Sequence, residues 1–284
     1  MSNRIMNKHD IFMGCDCDYN EADIVMFSAP FDGTTSFRPG ARFAGRAIRE
    51  NSYGIESYSP YQEKDLFDLK IMDSGDLELP IGSSQRILEI IEQQTAQILN
   101  AGKKPVMIGG EHLVTLGAIR AAINIFPDLH ILHFDAHADL RDDYLGEKFS
   151  HATIMHRAWE IVGDKKIFQC GIRSGDSKEF NFAIIHTKMC KFNFRILSHF
   201  IRALRGKPVY FSLDLDVLDP SVFPGTGTPE PGGVSFQELH NAVISLKDLN
   251  IVGCDVVELS PHYDLSGIST MVACKIIREI LMVI

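Results

Sequence analysis

The chain has 284 residues, 45% of them hydrophobic and 23% charged, which is enough apolar material for one sizeable α/β core. A formal net charge of −9 with no basic run argues against a nucleic acid and against an anionic membrane surface as partners. The opening "MSNRIMNKHD" has no apolar signal core and no uncharged stretch reaches about 18 residues, so a cytoplasmic protein with reduced thiols is expected.

In chain order, short apolar runs alternate with longer amphipathic segments, the pattern of a parallel sheet covered by helices. An N-terminal extension over 1–22 precedes the first strand, "DIVMFSA" from Asp23. A helix is expected over 42–51. In "SSQRILEIIEQQTAQILNAG", Ile87, Leu88, Ile91, Ile98 and Leu99 share one helical face, Ser83 or Ser84 can cap its start, and Gly102 suits its left-handed end. Strand "KPVMIG" from Lys104 leads to a helix over 112–125, and "HILHFD" from His130 to one over 152–162. "KIFQCGI" from Lys166 precedes a helix over 194–204, and "VYFSLDLD" from Val209 one over 235–247. "VGCDVVEL" from Val252 and a helix over 268–283 complete the series. The strands are almost wholly apolar, as strands buried on both faces must be. With no linker and no internal repeat, a single domain over 1–284 is expected, of class α/β. Four of the six cysteines sit in apolar or helical patterns and read as buried thiols, while Cys15-Asp16-Cys17 lacks a second pair at zinc-finger spacing.

Three strand ends carry ionisable groups. "HFDAHADL" delivers Asp135, His137 and Asp139 in alternation. Continued as a strand, the outer two would stand about 13 Å apart, too far to share an ion whose ligands lie about 2 Å away. The chain must therefore curl after Asp135. "SLDLDVLDP" ends a second strand in Asp214 and Asp216, and "IGGEH" ends a third in two glycines, Glu111 and His112. Carboxylates crowded at a strand end need a counter-charge, and the carboxyl edge of a parallel sheet is where ligands bind. Two imidazoles and four aspartates suit two divalent ions with bridging carboxylates, and the oxygen-rich set favours Mn²⁺ over Zn²⁺.

With these motifs in place, the chain resembles a ureohydrolase of the arginase and agmatinase superfamily, in its agmatinase branch. "GGEH", "DAHADL" and "SLDLDVLDP" correspond to that superfamily's metal motifs in order, and "APFDGTTSFRPGARFAGRAIR" and "FPGTGTPEPGG" resemble the agmatinase branch. The resemblance implies a three-layer α/β/α fold with a central, mostly parallel sheet, as in arginases and deacetylases, and two Mn²⁺ per subunit. It places His112, Asp135, Asp139 and Asp214 on one ion and Asp135, His137, Asp214 and Asp216 on the other. It implies that Asp139 handles the nucleophile's proton, that His151 shuttles protons to solvent, and that Glu258 pairs with the guanidinium.

The implied reaction converts agmatine, a small cationic guanidino substrate, to putrescine and urea, a step of polyamine biosynthesis. Other substrates with the same centre are guanidinobutyrate, aminopropylagmatine, arginine and formiminoglutamate; a catalytically silent relative is the remaining alternative. A homo-oligomer, trimer or hexamer, is expected by resemblance. In "LRDDYLGEKFS" the acids Asp142, Asp143 and Glu147 are expected to favour a cationic far end on the substrate, and "GTGTPEPGG" is expected to wall the pocket mouth.

Overall fold

The computed structural model describes residues 10–284, so part of the expected N-terminal extension lies outside the described residues. Of the remainder, Phe12 and Cys15 enter the core and Asp16 bridges to Met72.

The strands are β1 (Ile24–Ser28), β2 (Tyr58–Ser59), β3 (Lys64–Asp65), β4 (Ile71–Asp76), β5 (Lys104–Ile108), β6 (His130–Phe134), β7 (Ile167–Ile172), β8 (Lys188–Lys191), β9 (Pro208–Asp214) and β10 (Asn250–Val257). The helices are α1 (Ala44–Ser52), α2 (Ser84–Asn100), α3 (Thr115–Ile125), α4 (Ile154–Val162), α5 (Ser177–His186), α6 (Leu197–Leu204), α7 (Phe236–Ile244) and α8 (Ile268–Val283). Eight strands form one sheet in the order β4-β1-β5-β10-β9-β6-β7-β8, every pair parallel, while β2 and β3 make a small antiparallel ribbon.

Successive side chains of a strand point to opposite faces, and both faces are apolar. One core joins Met26, Val106, Ile108 and Phe211 to α1, α6, α7 and α8; the other joins Val25, Phe27, Met107 and Ile131 to α2, α3, α4 and α5. The architecture is therefore the expected three-layer α/β/α. The chain passes from β5 to β6 across β10 and β9, so the strand order reverses at the sheet centre, and ligands of open α/β sheets bind at such a point.

Several boundaries differ from the sequence expectation for local physical reasons. The segment over 112–125 opens with a tight helical turn, His112–Val114, before α3, and 151–153 does the same before α4. The expected strand through Asp216 stops at Asp214 and turns. β4, β8 and α5 were not expected. α5 is set by a capping box: Asp176 accepts from the Lys178 and Glu179 amides, and Glu179 reaches back to the Asp176 amide. All six cysteines are free thiols, with Cys17 half-buried and the other five buried.

Candidate metal centre

After β5 the chain turns through two glycines because a side chain presses against the first and backbone against the second. A Cβ at Gly110 would stand 1.7 Å from the Phe31 carbonyl oxygen, and one at Gly109 would stand 2.3 Å from Val257 Cγ1. That close approach sets His112 at the head of the next turn. After β6 the chain curls as the spacing argument required. The amides of Arg173 and Ser174 donate to the Ala136 carbonyl at 2.7 and 2.9 Å, Ala138 donates to the Ser174 carbonyl at 2.9 Å, and Asp139 adopts a left-handed φ of 54°. After β9 the Asp214 carboxylate accepts from the Asp216 amide at 2.8 Å, turning both side chains to the same side.

The six side chains named from the three motifs meet at this edge. His112 Nδ1 lies 3.0 Å from Asp135 Oδ2, 3.2 Å from Asp214 Oδ2 and 3.4 Å from Asp139 Oδ2. His137 Nδ1 lies 3.0 Å from Asp216 Oδ2 and 3.5 Å from Asp135 Oδ1. Asp135 thus turns one oxygen to each imidazole.

The donor set fits a cation. Ser212 Oγ donates to Asp255 Oδ1 at 2.7 Å and stands 2.9 Å from His112 Nε2, so it accepts the Nε2 proton. A neutral His112 then presents a bare Nδ1 to three carboxylates, and this buried nitrogen has no hydrogen-bond partner. Lone pairs facing lone pairs repel unless a positive charge lies between them. The titration directions carry the same sign. Burial pushes the Asp139 carboxyl well above its usual range, with Asp135 adding repulsion, and Asp214 is raised likewise by burial, Asp216 and Asp135. Burial opposes charging His112, but the Asp135 and Asp214 carboxylates facing it draw its pKa well above the usual value, so a proton can occupy the place of a metal ion.

Above the cluster opens a cavity of about 190 Å³ lined by His137, Asp139, Arg141, Tyr144, His151 and Glu179, with Ser36 and Thr228 at its sides. His151 Nε2 lies 3.2 Å from Ser36 Oγ, and its ring meets the Tyr144 ring edge-on at 5.6 Å. Burial, and then the neighbouring His137, press its pKa down to about 4, so it is neutral at physiological pH. Glu258 follows β10 at a left-handed φ of 67° and accepts from the His112 amide at 2.8 Å. Burial, Glu111 and Asp216 raise its carboxyl to about 8. It does not line the cavity; the Cβ position of Gly227, next to Thr228 on the wall, stands 3.6 Å from its Oε2. Glu111 turns the other way, binding the Thr34 amide at 2.9 Å and the Thr35 hydroxyl at 3.0 Å, and leaves His112 undisturbed.

Two expectations for the mouth are corrected or refined. Asp142 turns outward to Arg157, Asp143 lines a separate cavity beside it, and Glu147 lines another, so none of the three loop acids lines the site. The acid on the wall besides Asp139 is Glu179, from the unexpected α5; it accepts from the Leu140 amide at 3.0 Å and pairs with Arg141 at 3.3 Å. Of "GTGTPEPGG", Thr228 reaches the wall, with its hydroxyl 3.4 Å from Asp216 Oδ2.

Sequence reading also passed over His133, Gln169, Ser212 and Asp255, all fully or almost fully buried against the metal-site cluster. Each is a lone polar residue in the interior of an apolar run, and that was the available signal.

A family model described as the arginase family matches residues 22–283. An agmatinase of Bacillus subtilis is 44% identical over 96% of this chain and 95% of its own length. Among solved structures, a Clostridium difficile protein assigned as an agmatinase superposes with a TM-score of 0.91 at 50% identity, covering 94% of this chain and 99% of that one. The proclavaminate amidino hydrolase of Streptomyces clavuligerus follows the same path with a TM-score of 0.85 at 33% identity, over 96% of this chain and 95% of that one. A full-length match of fold and motif order, with the His/Asp cluster assembled at the switch point, places the chain in the arginase family, among the ureohydrolases.

Proposed function

We propose that the chain hydrolyses the guanidino group of agmatine to putrescine and urea, with two Mn²⁺ ions held by His112, Asp135, His137, Asp139, Asp214 and Asp216. The observation that carries this reading is the bare Nδ1 of His112 within 3.4 Å of three buried carboxylates, at the foot of a cavity sized for a small linear molecule. The name shared by the B. subtilis and C. difficile relatives supports the substrate.

A pair of divalent ions lowers the pKa of water enough to supply hydroxide at neutral pH, which an unreactive guanidinium carbon requires. Asp135 and Asp214, each turned toward His112, would help to hold the ions. Asp139 keeps Oδ2 toward His112, leaving Oδ1 to take a proton and release it to the departing amine. His151, neutral and at the wall, carries protons between the cavity and solvent through Ser36. Glu258 is the proposed partner of the guanidinium. Its carboxyl, raised by burial, ionises when a cation arrives, and a carboxylate binds a guanidinium through paired hydrogen bonds. Glu179 supplies negative charge toward the substrate's far amine.

Arg141 on the same wall favours a second reading, a guanidino acid such as guanidinobutyrate with its carboxylate on that guanidinium. Urea release in the presence of Mn²⁺, measured against agmatine, guanidinobutyrate, aminopropylagmatine and arginine, decides between them. Agmatine should give the highest kcat/KM. A higher value for guanidinobutyrate or arginine overturns the substrate, and no urea from any of them overturns the hydrolytic reading.

A further inference from the structure

Beneath the six clustered side chains runs a row of polar groups to which the reaction above assigns no part. Gln169 on β7, His133 on β6, Ser212 on β9 and Asp255 on β10 are register partners across four adjacent strands. All four are 0% exposed, a costly place for polar atoms unless each has a defined partner.

The directions of the hydrogen bonds can be worked out one by one. Gln169 Nε2 lies 2.9 Å from the Ala138 carbonyl oxygen, which can only accept, so the amide nitrogen is at that end. Its Oε1 accepts from the Thr187 hydroxyl at 3.1 Å, which agrees. The same Nε2 stands 3.2 Å from His133 Nδ1 and donates its second hydrogen there, so Nδ1 is bare. The imidazole proton is therefore on Nε2, which lies 2.8 Å from Asp135 Oδ2. Two consequences follow. His133 is close enough to group with His112 and Asp135 as a metal-binding triad, but a nitrogen that carries a proton cannot be a ligand. Both oxygens of Asp135 are also fixed, Oδ2 by His133 and Oδ1 by the His137 amide, so that one faces each of the two imidazoles.

We propose that His133 is a positioning residue whose Nε2–H holds Asp135 astride the two halves of the centre, and that Gln169 sets the tautomer that makes this bond possible. Through Ala138, Gln169 pins the curl between His137 and Asp139 as well. The proposal rests on the two-ion reading of the site. Partners of this kind behind metal ligands change metal affinity about 10- to 100-fold when removed.

The test is Mn²⁺ binding by the full-length metal-free protein, followed by equilibrium dialysis and by electron paramagnetic resonance, which separates a spin-coupled pair from single ions. In His133→Gln the amide nitrogen reaches the place of Nε2 and keeps the donor; in His133→Asn it reaches only the place of Nδ1. Wild type and His133→Gln should bind two ions with a coupled signal. His133→Asn should bind one of them about 10- to 100-fold more weakly and show single-ion signal. Equal binding in both variants, whether intact or impaired, overturns the proposal. A wild type that binds no pair overturns the two-ion reading as well, whereas a paired wild type beside an unaffected His133→Asn sinks only the role of His133. Should His133→Asn fail to fold by circular dichroism, Gln169→Leu serves in its place. Weakened pairing there supports the proposal, and unchanged pairing overturns it.

Discussion

Asp139 and Glu258 hold left-handed backbone conformations, with φ of 54° and 67°, that side chains other than glycine rarely adopt. Surrounding bonds hold both in place: the Asp139 carbonyl accepts from the Met155 and His156 amides at 3.0 and 3.2 Å, and the Glu258 amide donates to the Gly110 carbonyl at 3.0 Å. Local strain of this sort collects at functional sites. Asp139 adds an electrostatic cost. A carboxyl raised by burial and by Asp135 contributes stability that is fully present below the ordinary carboxylate range and is lost as pH rises through the folded-state pKa, so the group costs the metal-free fold stability at neutral pH. Asn tolerates the same backbone and carries no charge. Asp139→Asn should therefore raise the stability of the metal-free chain by about 1 kcal/mol while abolishing urea release. A lower melting temperature in chelator would refute this. His151 stands on the other side of that distinction. Its ring lines the wall without facing any carboxylate of the cluster, so His151→Ala should slow turnover about 100-fold and leave the metal content unchanged. Metal analysis of the purified variant checks it, and loss of metal would show that the ring supports the centre rather than moving protons.

At the scale of elements, the turn after β5 shows how tightly backbone geometry sets the site. Gly110→Ala places a methyl group on the Phe31 carbonyl, and neither segment can withdraw without moving His112 or the loop that Glu111 holds. This should cost about 2–3 kcal/mol, within the range of overpacked cores, and lower metal affinity too. Urea unfolding and metal titration of the variant report both, and wild-type values in either would contradict the packing argument. The six strands legible in the sequence, β1, β5, β6, β7, β9 and β10, are those flanked on both sides, where burial on two faces demands an unbroken apolar run. The two strands of the large sheet that the pattern does not show, β4 "IMDSGD" and β8 "KMCK", lie at its edges, where half-wet strands carry charges and are too short to show a period. α5 was hidden because Ile184 and Ile185 point to solvent, 77% and 62% exposed, which blurs its apolar face. Its capping residues, Asp176 and Glu179, were the better signal. The site divides in the same way. Candidate ligands that alternate past a strand end can be read from one segment, whereas Glu179 at the mouth and the row through His133 depend on register between strands, which no single segment encodes.

At the scale of the whole molecule, the loop that brings Thr228 to the cavity wall, 219–233, is braced by a second loop far away in sequence, 258–269. They are tied to each other: the Ser260 amide donates to the Gly225 carbonyl at 2.8 Å, and the Gly225 amide to Ser269 Oγ at 2.9 Å. Each loop is also folded around one carboxylate. Asp219 accepts from the amides of Ser221, Gly232 and Gly233 at 3.0, 2.8 and 3.0 Å. Asp264 accepts from the amides of Ser266 and Ser269 at 3.0 and 2.7 Å. The Ser221 hydroxyl and these amides press the Asp219 pKa down to about 2. At Asp264 burial pulls upward, but bonds from Ser266 and Ser269 outweigh it and the pKa is again about 2. A carboxyl depressed in the folded state contributes stability that is fully present above its ordinary value of 3.8 and is lost as pH falls through about 2. Asp219→Asn and Asp264→Asn should each cost about 1 kcal/mol at pH 7, at the low end for charge-assisted bonds because water reaches Asp219. The gap from wild type should narrow steadily below about pH 4. Because the loops brace each other through Gly225 and Ser269, the double variant should depart from additivity by more than about 0.5 kcal/mol. Urea unfolding of the four proteins between pH 7 and pH 3 tests all of this. A gap that is constant with pH would mean the carboxylates act by shape and not by charge, and strict additivity would mean the two loops are held independently of each other.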